Sequence, residues 1–362
     1  MIRMIIILTL LLPGAAMSAG DGAKYFITIH NGAYNFKGGA EQMEESRKAL
    51  LGMIKLADAR HVRLTLLFSA QYAEYIASDP SRMAELEGWK KAGHEIGAYH
   101  TGPDTRAWDG YSDLPEETLA RTHKDYKLAA KTPGHREYFS ELGRLAFKIK
   151  AGCVTGLSDK GFLAAAPEYE TCSGADNRGG GTGKMAAAGF DGVNNFLTVY
   201  GNNKKSLSCS HPANRAGSEA SKKAFLSMAS GVYGASFNSS PGEFGAFYAW
   251  LEFLKGVDPQ GLRDFTVSAV VEGGLLPEKK GTAPAEVPAS KKIPAPVQAE
   301  ARKQEFPRIR PVKSLNSQGD GFIFGQPGHD NSGERRGYCG DGICDIFEKS
   351  NTGGPCLRDC GK

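Results

Sequence analysis

Short apolar runs alternate with amphipathic stretches from about Lys24 to Glu272. The segments YFITIH, VRLTLLF and HEIGAYH are rich in β-branched and other apolar residues, which predicts three strands, the second buried on both faces. Apolar residues at helical spacing in EQMEESRKALLGMIKLADARH predict a helix between the first two strands. QYAEYIASDPSRMAELEGWKKAG predicts helix before the third strand, with a break near Pro80 and a stop at Gly93.

The alternation continues in the second half of this region. SDLPEETLARTHKDYKLA predicts a helix with Ser112 or Asp113 as its N-cap. Further strands are predicted at IKAGCVTG, DGVNNFLTV and VYGASFN, and further helices at SEASKKAFLSMASG and EFGAFYAWLEFLKG. Strands that alternate with helices indicate a parallel α/β fold, either a barrel or a doubly wound sheet.

Polar side chains stand where two of the predicted strands end. His30 and Asn31 end the first strand, and His100 ends the third. In α/β barrels the functional residues lie at the carboxyl ends of the strands. The stretch GHEIGAYHTGPDTRAWDGY contains the third strand and the residues after it, and it is therefore a candidate functional site.

The first residues have the layout of a secretory signal peptide. Arg3 precedes an apolar run from Met4 to Leu12, and small residues follow up to a cleavage site near Ser18 or Ala19. The run is shorter than the ~20 residues that span a bilayer, which disfavours the alternative of an uncleaved anchor. We therefore expect residues 1–19 to be removed and the mature protein to be periplasmic or extracellular, without a membrane span.

Composition divides the remainder of the chain. The net charge of +4 is small and the lysines are dispersed, so charge argues neither for nor against a nucleic-acid partner, and we expect none. After the α/β region, assigned to residues 24–276, residues 277–336 are rich in Pro, Ala and Lys and poor in aromatics. Such a segment buries too little apolar surface to fold, which predicts a disordered linker. Residues 337–362 form a compact cysteine-rich module.

Seven cysteines in an exported chain indicate disulfides. The upstream group has an odd count, and we assign its pair to Cys153 and Cys172 and leave Cys209 over. The tail pattern CGDGxCDxxE…DC resembles small cysteine-rich modules appended to exported bacterial proteins. Its spacings favour two disulfides over a zinc site, and its acidic side chains offer ligands for Ca²⁺ as an alternative to solvated acids. The tail cysteines are Cys339, Cys344, Cys356 and Cys360.

Four segments together resemble the polysaccharide deacetylase (NodB-like, carbohydrate esterase) superfamily. They are FITIHNG, TLLFSAQYAEYI, LEGWKKAGHEIGAYHTG and VYGASFNSSPGEFGAFYAWLEFLKG, and the resemblance covers roughly Tyr25 to Glu272. GHEIGAYHT is the most specific match, and the other segments count mainly through their order. The resemblance implies a deformed (β/α) barrel that hydrolyses acyl groups on carbohydrate.

The family's chemistry implies a divalent metal, usually zinc, held by one Asp and two His. A separate Asp is the base and a late His is the acid. In this chain His30 stands in the base position and Asn31 in the position of the metal-binding Asp. His100 matches the first histidine of the second motif, whereas Asp104 occupies the place of the second. The R-x-P motif is not evident, and the late His-Asp pair is replaced by Phe237-Asn238.

The altered residues still offer ligands for a metal. His30, His100 and Asp104 supply two imidazoles and a carboxylate, a set that suits Zn²⁺ or another divalent ion, and Asn31 can add a neutral oxygen. The alternative is that both histidines are strand-end residues that bond backbone carbonyls. His94, at the start of its strand, is predicted to be structural.

Other candidate residues surround this set. Trp108 and Tyr111 are suited to stack on sugar rings, or they only close the barrel mouth. Asp109 is interpreted as a turn residue first, with ligand, orienting and substrate-contact roles as alternatives. A Cys209–His211 nucleophilic pair is conceivable but lacks a third orienting residue.

The predicted function is that of a secreted, metal-dependent hydrolase that removes acyl groups from an extracellular carbohydrate. His30 is its candidate base, and His211 or Glu243 its candidate acid. Asn238 is a candidate substrate contact. The alternative is a catalytically inactive relative that binds glycan or a cell-surface partner through the same mouth.

Overall fold

The structure is a computed structural model that describes residues 22–32, 39–103, 108–122, 132–146, 148–155, 159–165, 167–172, 191–200 and 203–281. The predicted signal peptide, linker residues 282–336 and the cysteine-rich tail lie outside these residues, and so does Asp104. The predictions of tail disulfides and of tail Ca²⁺ therefore concern a part of the chain that the structure does not describe.

Ten strands and nine helices are found in the described residues. The strands are β1 (Lys24–Asn31), β2 (Leu64–Phe68), β3 (Glu95–His100), β4 (Ala151–Val154), β5 (Tyr169–Glu170), β6 (Val193–Asn194), β7 (Leu197–Val199), β8 (Lys205–Ser206), β9 (Val232–Asn238) and β10 (Glu278–Lys280). The helices are α1 (Gly39–Asp58), α2 (Ala70–Ala77), α3 (Pro80–Lys91), α4 (Glu116–Thr122), α5 (His135–Gly143), α6 (Lys160–Ala165), α7 (Arg215–Leu226), α8 (Pro241–Val257) and α9 (Val267–Glu272).

All ten strands join one sheet in the order β10-β7-β8-β5-β4-β3-β2-β1-β9-β6. The central ladders between β9 and β5 are all parallel, and only the pairs β6–β9 and β7–β8 are antiparallel. Helices follow most of the central strands, as parallel connections require. The fold is the predicted α/β fold, a curled, parallel-rich sheet of the deformed (β/α) barrel type.

The two faces of the sheet carry different side chains. On the helix-covered face, Tyr25, Ile27 and Ile29 of β1 belong to one large core cluster that also includes residues of α1, α5 and α8. On the inner face, Phe26 packs in a second cluster. Thr28 and His30 add buried polar side chains to the same face. Because side chains alternate along a strand, neighbouring polar residues at a strand end are sent to opposite faces.

Local sequence signals explain the break between α2 and α3. Asp79 is the N-cap of α3 and accepts from the backbone N–H groups of Ser81 and Arg82, while Pro80 occupies the first helical turn. After α3, Gly93 takes a φ of 94°, which only glycine adopts readily, and turns the chain into β3. The predicted break at Pro80 and stop at Gly93 are both confirmed.

Two boundaries differ from the sequence prediction. The helix α4 begins at Glu116, and Asp113 does not cap it, because its carboxylate instead accepts from the backbone N–H of His135 at the start of α5. The strand β10 lies past residue 277, where we placed the start of the linker, and pairs with β7. All three of its residues are exposed, so no apolar alternation marked it as a strand.

His94 is structural, as predicted. Its ring nitrogen Nδ1 accepts from the backbone N–H of Leu64 at 2.9 Å, and Nε2 lies 3.0 Å from the Asp58 carboxylate. Burial lowers the pKa of His94, against the opposing effect of Asp58. The imidazole thus ties the amino ends of β2 and β3. Among the described residues, no helix is long and apolar enough to cross a membrane.

A buried carboxyl group lies near the amino end of β1. Asp264 forms a bridge with Tyr25, and its side chain is 0% exposed. Oδ2 accepts from the backbone N–H and Nε of Arg63 at 2.6 and 3.2 Å, whereas Oδ1 has no hydrogen-bond partner. Burial outweighs the attraction of Arg63 and raises the pKa of Asp264 to about 7.

This raised pKa makes stability depend on pH. Between the ordinary pKa near 3.8 and about 7, the folded chain keeps a proton that the unfolded chain releases. The free energy of unfolding of the wild type therefore falls as the pH rises through this window, by up to about 1 kcal/mol for each pH unit. Asp264→Asn mimics the protonated group, so we expect the variant to gain stability relative to the wild type from pH 5 to pH 8. Urea unfolding at both pH values measures this difference.

Glu219→Gln is the matched control, because that carboxylate is 67% exposed. A stability difference between Asp264→Asn and the wild type that stays constant with pH would contradict the assignment.

Candidate functional site

The carboxyl ends of β9, β1, β2, β3 and β4 meet at one edge of the sheet. In register, His30 lies beside Asn238, Asn31 beside Phe68, and His100 beside Val154. Two strand spacings of about 4.8 Å each separate β1 from β3. The candidate residues of these strands therefore share the edge at which functional sites of such folds lie.

His100 is held by a carboxylate. Its Nδ1 lies 2.8 Å from Oδ2 of Asp109, and both side chains are 0% exposed. Asp109 also accepts from the backbone N–H groups of Thr101 at 3.4 Å and Tyr111 at 3.2 Å. The contact with Tyr111 is the turn predicted for this residue, and the turn aims the second oxygen at His100. Because the carboxylate accepts from Nδ1–H, the neutral imidazole carries its lone pair on Nε2.

Aromatic rings enclose this imidazole. The ring of Phe162 stacks on His100 with centroids 3.8 Å apart and planes at 7°. Tyr138 meets His100 edge-on at 5.3 Å, and its hydroxyl donates to the backbone carbonyl of Phe68 at 3.4 Å. The three rings come from β3, α5 and α6, so tertiary packing fixes the plane of the imidazole.

Two buried acceptor atoms at this edge have no hydrogen-bond partner. Asn31 donates through Nδ2 to the backbone carbonyls of Ile29 and Leu67, each at 3.1 Å, which leaves Oδ1 unsatisfied. Nε2 of His100 is likewise buried and unpartnered. Asn31 and His100 occupy the same face, because Asn31 is in register with Phe68 and Phe68 with Ala98, two residues before His100. Buried acceptors without partners cost free energy and mark a place that a donor or a cation would occupy.

The structure does not bring His30 together with His100. His30 is in register with Leu67, and Leu67 with Gly97, so His30 faces the side opposite to His100. There it stacks on Tyr99 with ring centroids 4.7 Å apart, and Nε2 lies 3.3 Å from Oγ1 of Thr28. Among the described residues, no group of three or more His, Cys, Asp or Glu side chains could hold a metal ion. The predicted ligand set of His30, His100 and Asp104 is therefore not assembled in the part of the chain that is described.

The predicted sugar-stacking wall is largely buried. Trp108 is 1% exposed, and its Nε1 donates to the backbone carbonyl of Tyr111 at 2.9 Å. Its ring is therefore packed within the protein, which does not support a sugar-stacking role for it. Asp109 is equally buried and engaged with His100, so its candidate role as a substrate contact is not supported either. Tyr111 is half-buried and packs edge-on against Tyr138 at 5.6 Å.

The candidate acids His211 and Glu243 form a pair. Nε2 of His211 lies 3.3 Å from Oε1 of Glu243, and Nδ1 lies 3.1 Å from the backbone carbonyl of Ser236. Asn238 donates to the same carboxylate through its backbone N–H at 2.7 Å and through Nδ2 at 2.6 Å. Burial raises the pKa of Glu243, but the contacts with His211 and Asn238 outweigh it, and the pKa lies below the ordinary value. Both ring nitrogens of His211 are thus engaged within the protein.

Of the upstream cysteines, Cys153 lies in β4 and Cys172 lies two residues after the neighbouring strand β5. Cys153 and Cys172 are joined by a disulfide with an S–S distance of 2.13 Å. Together with Leu67 and Tyr99 they form a small buried cluster behind His30. Cys209 is not part of this disulfide, and its Sγ lies 2.8 Å from Oγ1 of Thr171. His211 bonds Ser236 and Glu243 rather than this thiol, which does not support the nucleophilic-pair alternative.

The sequence analysis missed the residues that contact His100 in the fold but are distant from it in the sequence. Phe162 and Tyr138 carry no motif, and only the fold brings them to the imidazole. A second Asp–His pair, Asp113 and His135, was also missed, because its members lie 22 residues apart in the sequence. Their side chains are 30% and 31% exposed. The one available signal was Asp113 itself, which the sequence predicted as an N-cap of α4. It accepts from the first backbone N–H of α5 instead.

The chain matches no protein-family model and no curated protein. Among solved structures, it is similar to a peptidoglycan deacetylase from Bacillus subtilis, with 11% identity, a TM-score of 0.37 and coverage of 70% of this chain and 92% of that one. A CE4 family pseudoenzyme from Bacillus anthracis shows 6% identity, a TM-score of 0.34 and coverage of 66% and 62%. A family 4 acetyl xylan esterase from Clostridium thermocellum, solved with a cobalt ion, shows 11% identity, a TM-score of 0.35 and coverage of 70% and 92%. Similarity at these levels assigns no function.

Removal of the carboxylate beneath His100 should destabilise the fold. Asp109→Ala leaves Nδ1–H of His100 and two backbone N–H groups without an acceptor, so we expect a loss of about 3 kcal/mol in the free energy of unfolding. Asp58→Ala is the matched control, because that carboxylate also contacts a histidine but is 49% exposed. The control should cost less than about 1 kcal/mol. Equal losses in urea unfolding would contradict the buried pairing.

Proposed function

We propose that this chain is an exported, metal-dependent hydrolase of the polysaccharide deacetylase type that removes acyl groups from an extracellular carbohydrate. The motif GHEIGAYHT, the order of the four family-like segments and the parallel-rich α/β sheet support this proposal. The single observation that carries it is the pair of buried, unpartnered acceptors at the carboxyl edge, Nε2 of His100 and Oδ1 of Asn31. The signal-like leader and the disulfide in the barrel are in keeping with export.

The chemical types of these two atoms suit a divalent cation. An imidazole nitrogen and an amide oxygen are both accepted ligands of zinc-like ions. The hydrogen bond from His100 Nδ1–H to Asp109 reproduces the carboxylate–histidine arrangement that orients metal-binding histidines and raises their basicity. We assign His100 and Asn31 to the metal, with Asp104 as the third ligand. When bound, the cation would polarise the acyl carbonyl and increase the acidity of a water molecule.

Two residues of the chain prepare His100 for this role. Asp109 keeps the lone pair of His100 on Nε2, and Phe162 covers one face of the ring and fixes its plane. His30, the base predicted from the sequence, lies on the opposite face of the sheet, where its ring contacts Tyr99 and Thr28, and we assign it no role at this metal. The His211–Glu243 pair binds Asn238 and so fixes the end of β9 beside His30. Asn238 is on the face of His30 as well, so the predicted substrate contact at Asn238 is not part of this site.

Metal binding tests the ligand assignment without reference to turnover. We expect the purified wild type to bind Zn²⁺ with one site per chain in calorimetry, and His100→Ala to lose this binding. Asp109→Asn should weaken it by about 10- to 100-fold, because it removes the oriented acceptor for Nδ1–H. Asn31→Asp should strengthen it, because a carboxylate replaces a neutral oxygen.

His61→Asn serves as the control. His61 is exposed at the amino-terminal end of the sheet, and its φ of 56° suits asparagine. Full Zn²⁺ binding by His100→Ala would overturn the metal assignment.

Activity is tested on acetylated chitin oligosaccharides and peptidoglycan fragments, with released acetate as the readout. We expect the Zn²⁺-loaded wild type to release acetate from at least one of them, and His100→Ala and Asn31→Ala to fall by at least about 100-fold, as expected when a Lewis acid is lost. A wild type that binds metal and glycan but releases no acetate would overturn the hydrolase and identify a binding protein.

A further inference from the structure

Asp113 and His135 form a second Asp–His pair at the same edge of the fold. Oδ2 of Asp113 lies 2.6 Å from Nδ1 of His135, and Oδ1 accepts from the backbone N–H of His135 at 3.1 Å. The side chains are 30% and 31% exposed, and no described residue hydrogen-bonds Nε2 of His135. As at His100, the carboxylate accepts from Nδ1–H, which leaves Nε2 as the ring nitrogen that can contact a substrate.

Several residues hold the carboxylate of Asp113 in place. Its backbone N–H donates to Oδ2 of the buried Asp159 at 2.9 Å, and Ser112 donates to the same oxygen at 2.5 Å. A Cβ atom at Gly134 or Gly161 would collide with a carboxylate oxygen of Asp113. Two glycines therefore leave the space that this carboxylate occupies. The orientation of His135 is thus fixed by the fold.

One aromatic ring separates this pair from His100. Phe162 stacks on His100 at 3.8 Å and meets the ring of His135 edge-on at 6.3 Å between centroids. His135 begins α5 and Asp113 follows β3, which ends at His100. Phe162 thus contacts both imidazoles, and His135 lies on the solvent side of this ring while His100 is buried.

The other described histidines at this edge are committed elsewhere. His211 has Nδ1 on Ser236 and Nε2 on Glu243. His30 is 1% exposed and lies on the inner face against Tyr99. His100 is the proposed metal ligand. His135 alone among these combines an orienting carboxylate, a ring nitrogen that no described residue binds, and access to solvent.

We propose that His135 is the proton donor to the leaving group, positioned by Asp113. The inference rests on the proposed function and supplies the acid that the altered late motif lacks. In the step, the bond between the acyl carbon and the sugar nitrogen breaks, and the nitrogen keeps the electron pair and takes a proton from Nε2–H of the imidazolium. Nδ1–H stays on Asp113, and His135 regains its proton from solvent, so the net reaction is addition of water.

Asp113 also serves as a remote cap of α5, and a variant separates the two roles. Asp113→Asn keeps an oxygen for the backbone N–H of His135, so the cap survives. The new amide donates to Nδ1 and moves the ring proton to Nε2. We therefore expect the variant to melt at the same temperature as the wild type but to carry its neutral ring proton on Nε2 of His135. Two-bond ¹H–¹⁵N spectra of the neutral imidazole report which nitrogen carries that proton.

Leaving-group dependence tests the acid directly. His135→Gln should lower kcat on the acetylated amino sugar by about 100-fold or more, the usual range for a lost general acid. On 4-nitrophenyl acetate the loss should be less than about threefold, because that leaving group departs without a proton. Asp113→Asn should show the same selective loss, and His61→Asn should change neither substrate.

Each result decides a separate question. A wild type that turns over neither substrate overturns the proposed function and the acid role with it. Equal losses on both substrates, or no loss on the amino sugar, overturn the acid role alone. A wild-type His135 that already carries its neutral proton on Nε2 overturns the role of Asp113 whatever the turnover.

Discussion

The candidate site depends on one buried hydrogen bond, from Nδ1–H of His100 to Asp109 at 2.8 Å. A buried carboxylate and imidazole are costly to remove from water, and each is tolerable only because the other is present. The bond selects the tautomer that leaves a lone pair on Nε2, and the stacked ring of Phe162 fixes the plane of the imidazole. This contact depends on the end of β3, on the turn at Asp109 and on the placement of α6.

Asn31 gives this edge of the sheet an uncharged acceptor rather than a carboxylate. A neutral oxygen attracts a cation less than a carboxylate does, so the site has less charge to offset that of a bound ion. The unsatisfied Oδ1 nevertheless stays buried on the same face as His100, with Nδ2 spent on two backbone carbonyls.

The α/β class and the strand ends were predictable because they follow from local patterns. The apolar run of β2, the cap at Asp79 and the stop at Gly93 each act within a few residues. The face that each histidine occupies was not predictable, since it depends on the register of β1 and β3 through the intervening β2. The burial of Trp108 and the pairing of Asp113 with His135 likewise depend on contacts between residues distant in sequence. A motif shows which residues end a strand, whereas only packing shows which of them meet.

The central claim is that a cation binds the free nitrogen of His100. Crystals grown with Co²⁺ or Zn²⁺ and measured at the absorption edge of the metal test it most directly, because anomalous scattering locates the ion independently of any model of the protein. The account predicts a single strong peak ~2.1 Å from Nε2 of His100, with the oxygen of Asn31 in the same coordination shell. A peak elsewhere, or density for a water molecule alone between these two atoms, would contradict it.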